Sequence, residues 1–79
     1  EYSADELVTE VEAKIFDDAC GDYQFPLGTP ISFGKRTTGF GTDYRFNVKS
    51  VAPDGSETHS VIYVIVKEGA KPEFTRVVR

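Results

Sequence analysis

Few side chains in this sequence are suited to catalysis, and their spacing matches no catalytic arrangement. Cys20 is the single cysteine and His59 the single histidine, so a thiolate nucleophile would depend on one base far away in the chain. Asp17 and Asp18 are adjacent, but neighbouring residues on a helix point about 100° apart and do not share a site. One histidine and one cysteine cannot fill a zinc shell. We therefore expect no enzyme, no metal and no cofactor.

Molecular recognition is the other chemistry to consider, and the segment Thr37–Gly41 is the candidate for it. Phe40 stands between Gly39 and Gly41, directly before an alternating run. Glycine accepts the backbone conformations of tight turns, so this pattern predicts a hairpin tip that carries an aromatic ring. Either Phe40 is an exposed anchor for a partner, or it folds back onto the sheet end as core. The glycines do not make a phosphate loop, because the Lys-Ser/Thr pair and a following helix are missing.

Composition and charge favour one small folded domain, residues 1–79. Apolar residues make up 39% of the chain and aromatic residues 13%, which can supply a core near the lower size limit of a domain. Residues 1–22 hold eight acids and one base, a charge of −7, and residues 23–79 hold five acids and eight bases, a charge of +3. Scattered bases argue against nucleic-acid binding, which needs clustered Lys and Arg. No apolar run reaches the roughly 18 residues of a membrane span.

The first part of the chain has the pattern of an amphipathic helix. Ser3 and Glu6 fit a capping box, in which each side chain bonds the other residue's amide, and Gly21 is a stop signal. We expect a helix over about Ala4–Cys20. Its apolar stripe should be buried, so Val11→Asp should destabilise the domain by several kcal/mol. The apolar residues at helical spacing are Ala4, Leu7, Val8, Val11, Ile15 and Ala19.

The rest of the chain alternates as β-strands do. Proline and glycine in Ala52–Ser56 predict a turn, and Glu68–Pro72 a second hairpin tip. The run Val61–Val66 is apolar at every position, which predicts a central strand covered on both sides or partly covered by a partner. Since one helix can bury its stripe only against a sheet, we expect an α+β fold: one N-terminal helix packed across a four-stranded antiparallel sheet. The predicted strands are Ile31–Thr38, Tyr44–Lys49, His59–Lys67 and Glu73–Arg79.

The order of these elements and one continuous segment resemble the cystatin family, especially its stefin-like members without disulfides. The segment FPLGTPISFGKRTTGFGTDYRFNVK is similar to the stefin run of a Phe-Pro connector, a Val-Ser-Phe strand, a Gln-x-Val-x-Gly tip and a Gly-Thr-Asn-Tyr strand. By this resemblance Phe25–Pro26 match the connector, Ile31–Phe33 the strand and Gly41–Tyr44 the strand after the tip. The likeness covers nearly the whole chain and implies a cystatin-like fold.

Cystatins inhibit papain-like cysteine proteases with a wedge made of an N-terminal segment and two hairpin tips, so the resemblance implies an inhibitor. The first tip keeps the family's final glycine as Gly41, but Thr37 and Gly39 stand at the Gln and Val positions, and the second tip has no tryptophan. The alternative is a non-inhibitory module that binds another protein or a peptide, as a monomer or a weak dimer through an exposed strand. The binding residues implied are Thr37, Thr38, Gly39, Phe40, Gly41, Gly69, Ala70, Lys71 and Pro72.

Overall fold

The computed structural model describes residues 1–21 and 27–79 of the chain. The described strands form one antiparallel sheet in the order β1-β2-β3-β4-β5. The predicted Phe25–Pro26 connector lies outside the described residues. In chain order, the elements are β1 (Glu6–Leu7), α1 (Glu10–Cys20), β2 (Thr29–Thr38), β3 (Gly41–Val51), β4 (Glu57–Lys67) and β5 (Glu73–Val78).

The prediction of one helix packed across a four-stranded antiparallel sheet is wrong, because the described sheet has five strands. The additional strand, β1, consists of residues that were predicted to be helical: Glu6 pairs with Phe33, and Leu7 pairs with Ser32. A short apolar run fits either a helix or a strand by its periodicity. The outer edge of β2 presents backbone groups that need partners, and β1 supplies them.

The helix starts later than predicted, and the chain contains two matches to the capping box. The first match, at Ser3, does not cap a helix, because the Ser3 hydroxyl accepts a hydrogen bond from the Lys35 amide of β2 at 3.0 Å. The second match caps α1, with Thr9 as N-cap and its amide donating to the Glu12 carboxylate at 2.9 Å. Hydrogen bonds from the Thr9 hydroxyl and amide lower the pKa of Glu12. The helix ends at Cys20, before Gly21, as predicted.

The core lies between α1 and one face of the sheet. The ring of Phe16 meets that of Phe46 edge to face, with centroids 5.3 Å apart. The predicted buried stripe is wrong at Val11, which is 65% exposed, and at Leu7, which is 78% exposed. Phe16 occupies the centre of the buried helix face instead, since its larger ring removes more apolar area from water. The core consists of Phe16, Cys20, Phe33, Phe46, Val48, Ile62 and Val64.

The strand β4 lies inside the sheet, between β3 and β5, as its apolar run predicts. The described elements cover it on the α1 side only, so the predicted cover on both sides is not found among them. Ile62 and Val64 face α1 and are buried, whereas Val61 and Tyr63 point to the opposite face and are half-buried. Among the described residues, no helix or strand packs on that opposite face, called the open face below. The one helix described is neither long enough nor apolar enough to cross a membrane.

Candidate functional site at the hairpin tips

The first predicted tip joins β2 to β3 through a two-residue turn, Gly39–Phe40. Thr38 and Gly41 are paired at its base. The Thr38 hydroxyl donates to the Gly41 carbonyl at 3.2 Å and accepts from the Phe40 amide at 3.2 Å. The Phe40 side chain is 81% exposed. Of the two alternatives left open by the sequence, the exposed ring is the one found, and Phe40 does not belong to the core.

Gly41 is required by the packing of the sheet itself. Its φ is +150°, and a Cβ at this position would collide with the carbonyl oxygen of Val66 and lie 2.9 Å from the Cα of Lys67. Gly39 differs, because nothing lies within 4 Å of the place where its Cβ would stand. The glycine before Phe40 therefore leaves open space beside the ring, and the glycine after it allows β3 to approach β4.

The second predicted tip joins β4 to β5 and leaves the same end of the sheet as the first. Gly41, which follows the first turn, pairs with Lys67, which precedes the second. Gly69 has a φ of +75°, and the Ala70 amide donates to the Lys67 carbonyl at 3.1 Å. We call Thr37–Gly41 together with Gly69–Pro72 the hairpin-tip end. A groove of about 450 Å³ between the second tip and the end of α1 is lined by Asp18, Ala19, Ala70, Lys71, Pro72, Glu73 and Phe74.

The first residues of the chain lie beside β2 near the first tip and run antiparallel to that strand, an arrangement that the sequence reasoning missed. The Ser3 amide donates to the Lys35 carbonyl at 2.8 Å, and the Arg36 guanidinium carbon lies 4.5 Å from the centre of the Tyr2 ring. The capping-box match at Ser3 had led to the prediction that this segment is helical. The second match, at Thr9, is the signal that could have revealed it.

An ion pair lies at the base of each hairpin, partly shielded in the first and exposed to water in the second. Arg36 and Asp43 are directly opposite on β2 and β3, and the Arg36 Nε and Nη2 atoms lie 3.1 and 2.8 Å from the same Asp43 oxygen. The Asp43 side chain is only 17% exposed, so water screens this pair less than an ordinary surface pair. Lys67 and Glu73 approach to 3.8 Å at the base of the second hairpin. The tips are thus fixed by their own strands.

The described residues show no arrangement for nucleophilic or metal chemistry. Burial, reinforced by the negative charge of Asp17, raises the pKa of the Cys20 thiol to about 11, so the thiol stays protonated at neutral pH. His59 is exposed and lies 3.9 Å from a carboxylate oxygen of Glu57. Within residues 1–21 and 27–79, no group of three or more His, Cys, Asp or Glu side chains could hold a metal ion.

No family model, curated protein or solved structure matches the chain. The hairpin-tip end therefore has to be understood from its own residues. It combines one exposed aromatic ring on a short turn, a second turn beside it, and the start of the chain alongside. Such an arrangement can enter a cleft in a partner protein and bury the ring there.

Proposed function

We propose that the chain is a non-catalytic inhibitor of papain-like cysteine proteases that inserts its hairpin-tip end into the substrate cleft. The observation that carries the proposal is the exposure of Phe40, which is 81% accessible at the first turn. The choice of papain-like proteases as the target rests on the resemblance of the segment around this turn to cystatins. Aromatic anchors that fill a pocket supply much of the binding energy of protein interfaces. Phe40 is the anchor in this proposal, and Gly39 leaves room for the cleft wall beside it.

The charge of the first tip supports insertion into a cleft. Thr37–Gly41 contains no ionisable side chain, so its burial does not require a charge to lose its hydration. The nearest ion pair in the strands, Arg36–Asp43, is already formed at 2.8 Å. The first tip can therefore leave water without bringing a charge of its own into the interface.

The rigidity of the tips supports inhibition without cleavage. The bonds from Thr38 to Phe40 and Gly41 hold the chain in a tight turn, so the tip does not present an extended segment to the protease nucleophile. A loop that is already ordered before binding loses little conformational entropy in the complex. The proposed inhibitor occupies the cleft as a fixed wedge, and it needs no reactive group of its own.

Binding of a protein or peptide without inhibition is a second candidate function, and the open face of the sheet favours it. This face carries the half-buried residues Val61 and Tyr63 on β4, and no described helix or strand packs on it. The two functions use different surfaces, since the first depends on the turns and the second on the sheet face. An inhibition assay therefore separates them.

The proposal is tested by incubating papain with the purified domain and following hydrolysis of a fluorogenic substrate. We expect inhibition that is lost on dilution, with the domain recovered at its original mass. Trypsin, a serine protease, serves as the control and should be unaffected. Absence of inhibition at micromolar concentration, or recovery of a cleaved domain, would contradict the proposal.

A further inference from the structure

The open face carries a cavity of about 400 Å³ whose lining contains two tyrosines and an exposed arginine. The rings of Tyr2 and Tyr63 meet edge to face, with centroids 6.2 Å apart. The guanidinium carbon of Arg76 lies 4.3 Å from the centre of the Tyr63 ring. These side chains come from the chain start, β4 and β5, so the cavity exists only in the folded sheet. None of them belongs to the hairpin tips.

Arg36 and Arg76 line this cavity, and Arg45 lies beside it, 5.0 Å from the centre of the Tyr2 ring. The three arginines differ in their charge partners. Arg36 pairs with Asp43 at 2.8 Å, and Arg45 pairs with Asp5 at 3.3 Å. Arg76 forms no ion pair with any of the described residues. Two of the three guanidinium charges are therefore neutralised locally, and the positive charge of Arg76 is left uncompensated beside the cavity.

The contact of Arg76 with the Tyr63 ring favours the binding of an anion by Arg76. A cation–π contact at this distance holds the guanidinium over the ring, and its N–H groups can still donate paired hydrogen bonds to a carboxylate. The phenol of Tyr2 also lines the cavity. Burial raises the pKa of Tyr2, so this phenol keeps its proton at neutral pH and can act as a donor.

Arg76 lies in β5, the edge strand of the described sheet. Among the described residues, the segment 76–78 pairs only with β4, and an extended peptide can add to such an edge through main-chain hydrogen bonds. Arg76 lies opposite Tyr63, and Val78 lies opposite Val61, so both side chains project on the open face. A peptide strand beside β5 would place every second side chain next to this row.

We propose that an extended acidic peptide docks along residues 76–78 at the outer side of β5 and places a carboxylate side chain on Arg76 at the open-face cavity. Charge complementarity selects an acidic occupant, because Arg76 is the cation of the cavity without a carboxylate partner among the described residues. Main-chain pairing with β5 supplies affinity, and the Arg76 contact supplies the preference for acidic sequences. This site is independent of the protease cleft proposed for the tips.

The test uses fluorescence anisotropy to measure the binding of a short capped peptide in which glutamate and threonine alternate. A second peptide with glutamine in place of glutamate is the uncharged counterpart. We expect the glutamate peptide to bind the wild type and to lose about tenfold or more in affinity with Arg76→Gln, as for loss of a charge-assisted pair. The glutamine peptide should bind both proteins equally weakly. Lys35→Gln is the matched control, since it removes an equal charge from a different strand, and Phe40→Ala should also leave peptide binding unchanged.

Each of four results would overturn the proposal. Equal binding of the two peptides, or unchanged binding by Arg76→Gln, would show that no peptide carboxylate binds to Arg76. Full competition by free acetate at the same carboxylate concentration would indicate a small-anion site rather than a peptide site. A concentration-dependent dimer that disappears in Arg76→Gln, seen by sedimentation equilibrium, would make a second copy of the chain the occupant. Thermal unfolding followed by circular dichroism establishes that every variant compared is folded.

Discussion

Gly41 and Lys67 lie opposite each other across β3 and β4, and this pair brings the two hairpin tips to one end of the sheet. The close approach depends on the missing side chain of Gly41, because a Cβ there would collide with the Val66 carbonyl. The glycine after Phe40 therefore allows β4 to lie close beside the first turn. The geometry of the proposed wedge follows from strand pairing.

Gly41→Ala should lower the free energy of unfolding by about 1–3 kcal/mol, because alanine is strained at a φ of +150° and must push β4 away. Gly39→Ala is the matched control and should change stability by less than about 1 kcal/mol, since its Cβ enters open space. Urea denaturation followed by circular dichroism measures both. Equal losses of stability in the two variants would show that the sheet does not require a glycine at position 41.

Phe16→Ala should destabilise the domain by about 3–5 kcal/mol, because it removes a ring that is only 4% exposed and packs on Phe46. Val11→Ala should change the free energy of unfolding by less than about 1 kcal/mol, as Val11 is 65% exposed. Thermal and urea unfolding provide the comparison. A loss at Val11 as large as the loss at Phe16 would restore the helix phase predicted from the sequence.

Thr9→Ala should reduce stability by about 1 kcal/mol and lower the helical signal, because Thr9 caps α1. Ser3→Ala should leave the helical signal unchanged, since the Ser3 hydroxyl bonds to the Lys35 amide of β2. Far-ultraviolet circular dichroism distinguishes the two effects. Loss of helix in Ser3→Ala, with none in Thr9→Ala, would place the helix start at the first capping-box match.

Cys20 should react slowly with a thiol reagent in the native state and rapidly in denaturant. The thiol is buried, and its pKa of about 11 keeps the reactive thiolate scarce below that pH. Ellman's reagent, followed by absorbance with and without urea, measures the two rates on the single cysteine. Fast native labelling would mean that Cys20 is accessible and ionised.

Much of the sheet could be predicted because its signals are local. Alternation marks β3, a continuous apolar run marks β4, the Pro-Asp-Gly turn marks their connection, and Gly21 marks the end of α1. The start of α1 could not be decided in this way, since Ser3 and Thr9 both begin a capping-box match and only the pairing of β1 with β2 selects between them. The long-range pairing of β1 with β2 therefore determines where α1 begins.

The hairpin tips could be found from the sequence, but the exposure of Phe40 could not. A ring between two glycines can point to solvent or to the sheet end, and the Thr38 hydrogen bonds that shape the turn are not encoded by a motif. No pattern in the sequence predicted the open-face cavity either. Tyr2, Tyr63 and Arg76 are apart in the chain, and they meet only because β4 pairs with β5 and the first residues lie beside β2.

The most direct test of the inhibitor proposal is the inhibition constant of papain for wild type, Phe40→Ala and Val51→Ala. Val51 is 59% exposed at the last residue of β3, at the end of that strand away from the first tip, and thus serves as a matched apolar control. We predict that wild type and Val51→Ala inhibit alike, whereas Phe40→Ala raises the constant by roughly tenfold to a hundredfold with an unchanged melting temperature. Wild type that does not inhibit at micromolar concentration, or a Phe40→Ala variant that inhibits equally well, would contradict the account.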